Sequence, residues 1–184
     1  MKRILGLFVL FLSFSQVFAQ SSGAGKVEVS FAFRRQSGFS TNQFAVWIED
    51  SRGVLVKTLF ATKFTAGGGY AKRPASIPLW VSKAGLSSMD KKAIDAFSGA
   101  TPRNGTLIYR WDGTDKNGIP AAHGEYQVFI EGTLKDDNKV LYSAPVTLGS
   151  GKDFNIETAP GPQYSGSRTQ ERGMIGNVKV SFQP

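Results

Sequence analysis

The chain has 184 residues, with 22 lysine and arginine against 14 aspartate and glutamate residues, a net charge of +8, no cysteine and one histidine. The lack of cysteine excludes disulfides, iron–sulfur clusters, C-x-x-C-H haem attachment and thiol redox pairs. A structural zinc site would lack ligands, because His123 stands alone. No nucleophile–base pair is visible, so we expect neither catalytic residues nor a metal site.

The first residues predict export. Lys2 and Arg3 precede an apolar stretch over residues 4–14, and Val17 and Ala19 place small residues at the two positions that a signal peptidase inspects. We therefore expect a signal peptide over residues 1–19, cleaved after Ala19, and a periplasmic protein with a single domain over residues 20–184. The apolar stretch is shorter than the roughly 20 residues of a membrane span, so no membrane crossing is expected. In an exported protein the positive charge indicates a basic surface, not nucleic-acid binding.

Short segments with alternating apolar and polar residues, separated by turn residues, predict strands. These segments are 27–33, 44–49, 54–60, 106–111, 125–133, 140–148 and 178–182. Strands of this length with regular turn signals are typical of an all-β protein, here an immunoglobulin-like β-sandwich.

Residues 87–97 predict one short helical insertion in this sandwich. Ser87 is the expected N-cap, and Asp90 three residues later completes a capping-box pattern. The predicted apolar face consists of Ala93, Ile94 and Phe97. Gly99 is expected to end the helix in a left-handed conformation, and Pro102 prevents its continuation.

The most specific motif follows this helix. Asp95 to Thr101 reads D-x-x-S-G-A-T, in which Gly99 and Ala100 make the segment narrow and the helix end exposes the Thr101 hydroxyl. The segment resembles the flavinylation motif of the flavin-carrying subunits of sodium-pumping NADH:quinone oxidoreductases and related electron-transport complexes. The resemblance implies covalent FMN on Thr101, with Asp95, Ser98, Gly99 and Ala100 as the surrounding recognition residues. Arg103 replaces a small hydroxyl residue usual there. The same residues also suit a plain helix stop and turn.

Other residues are candidates for supporting a flavin. Lys72, Arg73 and Arg103 have the charge to hold a phosphate, although a solvated surface explains them better. Aromatic residues that would stack on the isoalloxazine ring, or simply fill the core, are Tyr70, Trp80 and Tyr164.

A second resemblance covers most of the chain after the signal peptide. Trp111 to Gly118 reads W-D-G-T-D-K-N-G, and Gly124 to Tyr126 reads G-E-Y. With the D-A-x-S-G-A-T-P segment, these pieces resemble the periplasmic family of domain of unknown function 2271, which shares the W-D-G and G-x-Y pieces with the immunoglobulin-like part of flagellar hook-capping proteins. Asp112, Asp115 and Asn117 do not have the spacing of a calcium loop and favour Asx turns.

Together the resemblances imply a small exported electron-transfer protein. It would carry FMN on Thr101, receive electrons from a membrane reductase, and depend on an FMN transferase for maturation. It would be a carrier and not an enzyme. The alternative is a non-enzymatic periplasmic structural or protein-interaction module of immunoglobulin-like fold.

Overall fold

The computed structural model describes most of the chain after the predicted signal peptide. The described residues are 25–37, 42–134, 137–149, 154–156, 162–166 and 173–183. Residues 1–19, for which we predict a signal peptide, lie outside these ranges. No helix within the described ranges has the length and apolarity that a membrane crossing requires.

Within the described ranges, ten strands form two sheets. The strands are β1 (Lys26–Phe33), β2 (Gln43–Asp50), β3 (Leu55–Thr62), β4 (Ser98–Gly99), β5 (Gly105–Trp111), β6 (Gly124–Thr133), β7 (Lys139–Leu148), β8 (Phe154–Ile156), β9 (Gln163–Ser165) and β10 (Ile175–Gln183). The small sheet has the order β5-β1-β10-β8, and the large sheet has the order β4-β3-β2-β6-β7-β9. Neighbouring strands are antiparallel except for β3 and β4, which are parallel.

The two sheets face each other across a hydrophobic core. In β1 the buried residues alternate with residues that are only half-buried or exposed, as a strand with one covered face requires. The buried residues of β1 are Val27, Val29, Phe31 and Phe33. Apolar side chains from β2, β6 and β7 of the large sheet pack against them. The predicted all-β sandwich is therefore confirmed.

Two pieces of the sequence that looked like family motifs build a corner of the sandwich. The Trp111 ring is buried, and its Nε1 donates a hydrogen bond to the backbone oxygen of Thr114 at 2.7 Å. The ring also packs edge-on against Tyr126, with 5.0 Å between the centroids. The Tyr126 hydroxyl donates to the backbone oxygen of Ala122 at 2.6 Å. This is the arrangement of a tyrosine corner, a device of immunoglobulin-like sandwiches.

The helical insertion is longer than the sequence pattern predicted. It contains α1 (Lys63–Ala66), a 3-10 turn (Gly69–Ala71), α2 (Pro78–Ala84), a second 3-10 turn (Leu86–Ser88) and α3 (Lys91–Phe97). Its helices cover the outer face of the large sheet and form a second hydrophobic core there. The buried residues of this second core are Ala45, Trp47, Ala61, Ala66, Ile77, Trp80, Ala84 and Leu86. The large sheet is thus covered on both faces.

Helix α3 begins later than predicted. Asp90 is its N-cap, and the Asp90 Oδ1 accepts a hydrogen bond from the backbone nitrogen of Ala93 at 2.7 Å. Ser87 lies in the preceding 3-10 turn and does not cap the helix. Ile94 packs against the second core as expected, but Ala93 is exposed, so the predicted apolar face was wrong at that position.

Candidate functional site

The predicted acceptor segment lies where α3 joins the edge of the large sheet. Helix α3 ends at Phe97, and the chain continues in extended conformation as β4, which pairs in parallel with the end of β3. Among the described strands β4 has no second neighbour. Ala100 and Thr101 follow directly, so the acceptor threonine comes immediately after an edge strand.

The predicted site residues differ in exposure. Asp95 and Ala100 are exposed, whereas Ser98, Gly99 and Thr101 are half-buried. Among the described residues the Thr101 hydroxyl has no hydrogen-bond partner, and it is not enclosed in either core. Thr101 is therefore partly exposed at this edge of the sheet.

Gly99 does not end the helix in the left-handed conformation that the sequence suggested. Ser98 is the C-cap residue, in extended conformation, and Gly99 belongs to β4. Position 99 requires a glycine because the backbone there packs closely against the side chain of Phe60. A Cβ atom at this position would lie 2.8 Å from Cε2 of Phe60, closer than real Cβ atoms approach other atoms. The glycine lets β4 lie directly against that ring.

Helix α2 holds α3 in place through an aromatic contact. Phe97 packs edge-on against Trp80, with 6.0 Å between the ring centroids. Trp80 is fully buried, and its Nε1 donates a hydrogen bond to Oγ1 of Thr58 on β3 at 3.1 Å. The position of the acceptor segment thus depends on side chains of the second core.

Two polar side chains of β6 anchor the start of α2. The Glu131 carboxylate accepts hydrogen bonds from the backbone nitrogens of Leu79 at 3.2 Å and Trp80 at 2.8 Å. Two residues further along the same face, Thr133 Oγ1 accepts from the backbone nitrogen of Ile77 at 2.8 Å. Burial raises the pKa of the Glu131 carboxyl, although the hydrogen bonds from Trp80 and Leu79 oppose this shift. These bonds satisfy backbone donors at the start of the helix.

A pocket of about 400 Å³ lies beside the acceptor segment, between α3 and the loop after α1. We call it the Tyr70 pocket. Its lining residues are Lys63, Ala66, Gly67, Gly68, Tyr70, Leu86, Lys91, Ile94, Asp95 and Ser98. The volume falls in the range of about 300–1,000 Å³ that is usual for small-molecule sites. Two of the predicted site residues, Asp95 and Ser98, therefore belong to one cavity with an aromatic ring and two lysines.

One lining residue of the Tyr70 pocket has an unsatisfied hydroxyl. Ser98 Oγ is buried and has no hydrogen-bond partner among the described residues. A buried polar group without a partner costs about 1–3 kcal/mol of stability. Because this oxygen is buried, it lies behind the surface of the pocket and not on it. Close by, Nζ of Lys63 lies 3.7 Å from Oδ1 of Asp95, an ion pair on the surface of the pocket.

The structure separates the residues that we considered as flavin supports. Tyr70 lines the pocket, whereas Lys72, Arg73 and Arg103 do not. The guanidinium of Arg73 instead lies over the ring of Phe64, at 5.1 Å from the ring centroid. The two lysines of the pocket were missed. Lys91 could have been found from its spacing of one helical turn before Asp95, but no pattern in the sequence marks Lys63.

The other two aromatic candidates are placed where they cannot contact a flavin on Thr101. Trp80 is fully buried in the second core. Tyr164 lies on β9, at the opposite end of the large sheet from β4. With strands about 4.8 Å apart, these two strands are separated by roughly 24 Å. Tyr70 is the aromatic candidate that remains near the acceptor segment.

The acidic side chains in the turn after Trp111 accept hydrogen bonds from the backbone of the turn. Asp112 Oδ1 accepts hydrogen bonds from the backbone nitrogen of Thr114 at 3.1 Å and from Nζ of Lys57 at 2.9 Å. Asp115 Oδ1 accepts from the backbone nitrogens of Asn117 and Ile119. The prediction of Asx turns is confirmed. Among the described residues, no three acidic, histidine or cysteine side chains are grouped as a metal ion would need.

A larger cavity, of about 600 Å³, lies at the end of the small sheet. Arg34, Arg35 and Asn104 are among its lining residues, and none of the predicted site residues lines it. Of these two cavities, the Tyr70 pocket is therefore the one that adjoins the predicted acceptor motif.

A comparison with protein-family models identifies the relationship of this chain. The model of the family described as predicted periplasmic protein, DUF2271, matches residues 24–167. The chain belongs to this family. It is a periplasmic protein, in agreement with the location that residues 1–19 predicted. The DUF2271 match extends from β1 to β9, so it includes the acceptor segment and the Tyr70 pocket. A comparison with curated proteins found no match, and a comparison with solved structures found none.

Proposed function

We propose that this protein is a periplasmic electron carrier whose FMN is bound covalently to the hydroxyl of Thr101. An FMN transferase would attach the flavin. A membrane reductase would then reduce it, and the carrier would pass the electrons to an acceptor in the periplasm. On this proposal the protein transforms no substrate of its own.

One observation supports the proposal: within the D-x-x-S-G-A-T segment the helix ends at Phe97, and Ser98 and Gly99 run along a sheet edge in extended conformation. Strand β4 makes two residue pairs with β3, and the half-buried Thr101 follows it after Ala100. Proteins that recognise peptides often bind them in extended conformation through main-chain hydrogen bonds, and small side chains let such a segment enter a narrow groove. Gly99 and the exposed Ala100 supply the small side chains next to the threonine.

The attachment of FMN to Thr101 would require no oxidation or reduction. The Thr101 oxygen attacks the phosphorus of the FMN half of FAD, and a new oxygen–phosphorus bond forms. The bond between this phosphorus and the bridging oxygen of the pyrophosphate breaks, AMP leaves, and the hydroxyl proton goes to the transferase. The product is a phosphodiester, which requires no cysteine or histidine in the acceptor and therefore suits this chain. FAD and a divalent metal are needed for maturation alone.

Intact-mass spectrometry tests the proposal. The protein is produced in the periplasm together with an FMN transferase, beside the variants Thr101→Ala and Thr106→Ala. Thr106 is an exposed threonine on nearby β5 outside the motif and serves as the matched control. We expect wild type and Thr106→Ala to gain the mass of one FMN minus water and to be yellow. Thr101→Ala should be colourless and unmodified.

The opposite result has a definite meaning. If the wild-type mass stays unmodified while the same transferase modifies a known acceptor in the same cells, the carrier proposal is wrong. The protein would then be better explained as an interaction module built on the sandwich.

A further inference from the structure

The Tyr70 pocket combines an aromatic ring with uncompensated positive charge. Tyr70 is half-buried and brings its ring to the lining, next to the apolar side chain of Ile94. Asp95 is paired with Lys63, whereas Lys91 forms no ion pair among the described residues. The pocket therefore has one positive charge in excess. An anion that carries a flat aromatic group matches these properties.

Ser98 is the lining residue closest in sequence to Thr101. Its Oγ is buried beneath the surface, so Tyr70 and Lys91 provide the contacts to a ligand. The loop on the opposite side of the pocket contains Gly67 and Gly68, and a Cβ atom at Gly68 would meet nothing within 4 Å. The loop is therefore not crowded at Gly68.

The acceptor threonine is close enough for a flavin on Thr101 to reach the pocket. Thr101 lies three positions after Ser98 in the chain, which limits the distance between their Cα atoms to about 10 Å. A short tether raises the effective concentration of a ligand at a nearby site to the millimolar range. Even a pocket with weak intrinsic affinity would then be occupied most of the time.

We infer that the Tyr70 pocket is a flavin-binding site, in which the isoalloxazine ring packs against Tyr70 and Lys91 supplies positive charge beside the negatively charged flavin. The inference deepens the proposed function and rests on it for the source of the flavin, since the ligand would be the FMN of Thr101. The pocket would hold the flavin against the protein and shield one side of the ring from solvent.

Free FMN tests the pocket independently of covalent attachment. The protein is produced without a transferase, labelled with ¹⁵N, and titrated with FMN up to several millimolar while ¹H–¹⁵N spectra are recorded. We expect the largest shifts at the amides of Gly67, Gly68, Tyr70 and Ser98. The expected dissociation constant is about 1 mM, because the tether would supply the remaining affinity.

Two neighbouring lysines at the start of α3 allow a matched pair of substitutions. Lys91 lines the pocket, and the exposed neighbour Lys92 does not. Glutamate at either position has the same effect on net charge and on the helix end. Lys91→Glu should weaken FMN binding about three- to fivefold, and Lys92→Glu should change it less than twofold. Tyr70→Leu should weaken binding by about two- to tenfold through the loss of aromatic packing.

The outcomes distinguish this inference from the proposed function. If FMN causes no shifts in the pocket, or if Lys91→Glu and Lys92→Glu bind it equally, the pocket assignment is wrong even when Thr101 is flavinylated. If the pocket binds FMN as expected but Thr101 is never modified, the pocket stands as a flavin site and the covalent carrier does not.

Discussion

The ring of Phe60 requires glycine at position 99, at the edge of the large sheet, because it leaves no space there for a side chain. Its centroid lies 5.0 Å from that of Phe44 and 5.1 Å from that of Tyr109. The ring is therefore held on its other sides and cannot move far to admit a side chain at Gly99. Since Gly99 is also part of the acceptor motif, the motif and the packing require the same small residue.

The substitution Gly99→Ala should destabilise the fold. The added methyl group must displace either β4 or the Phe60 ring, and such overpacking costs about 1–3 kcal/mol. Urea unfolding measures the loss. Gly176→Ala is the control, because a Cβ atom at Gly176 meets nothing within 4 Å. Equal stabilities for the two variants would contradict the packing role of Gly99.

The carboxylate of Asp112 makes the turn after β5 sensitive to acid. Burial alone would raise its pKa, but hydrogen bonds from Lys57 and Thr114 outweigh this effect and lower the pKa from 3.8 to about 2. A lowered pKa in the folded state stabilises the protein above pH 3.8, and this contribution is lost as the pH falls towards about 2.

We therefore expect the stability difference between wild type and Asp112→Asn to shrink as the pH falls from about 4 to about 2. At neutral pH the difference should be about 1 kcal/mol or less, because the carboxylate is largely exposed and solvent screens it. Thermal unfolding over this pH range measures it. Lys57→Met should flatten the same pH dependence, and a difference that does not vary with pH would refute the assignment.

Among the secondary-structure elements, α2 is fixed to the large sheet at both ends. Its start is bound by Glu131 and Thr133, and Lys83 near its end donates from Nζ to Oε2 of Glu49 at 2.7 Å. Glu49 also accepts a hydrogen bond from Nε1 of Trp47 at 2.7 Å. Because α3 packs on Trp80 of α2, these contacts determine where the acceptor segment lies.

The substitution Lys83→Met should be strongly destabilising. It leaves the carboxylate of Glu49, which is 3% exposed, without its cationic partner. Loss of one partner of a largely buried ion pair should cost about 2–4 kcal/mol. Chemical denaturation provides the measurement, with Lys116→Met, a change at an exposed turn lysine, as the control. A loss below about 1 kcal/mol would show that the ion pair does not hold α2.

In the molecule as a whole, the large sheet separates two hydrophobic cores. Side chains on its inner face pack against the small sheet, and those on its outer face pack against the helices. Trp47 and Ile48, adjacent on β2, therefore lie in different cores. This explains why β2 is almost entirely buried and reads as a nearly continuous apolar strand.

The sandwich could be predicted because its strands have one covered face, and Val27, Val29, Phe31 and Phe33 show that alternation directly. Helix α2 could not. It has seven residues, it follows Ile77 in a left-handed conformation, and the groups that bind its start lie on β6, more than 50 residues away. The acceptor motif could be read from the sequence, but the pocket beside it could not, because Lys63 and Tyr70 come from another part of the insertion.

The two-residue pairing of β4 with β3 has a consequence for local unfolding. When β4 detaches, the large sheet loses only the two residue pairs that β4 makes with Ala61 and Thr62 of β3. The other strand pairs of the sheet are unchanged. Segments with so few backbone hydrogen bonds open at a small fraction of the global unfolding free energy. Residues 98–101 can therefore separate transiently from the folded body, as a substrate peptide must when it enters an enzyme groove, while both cores remain intact.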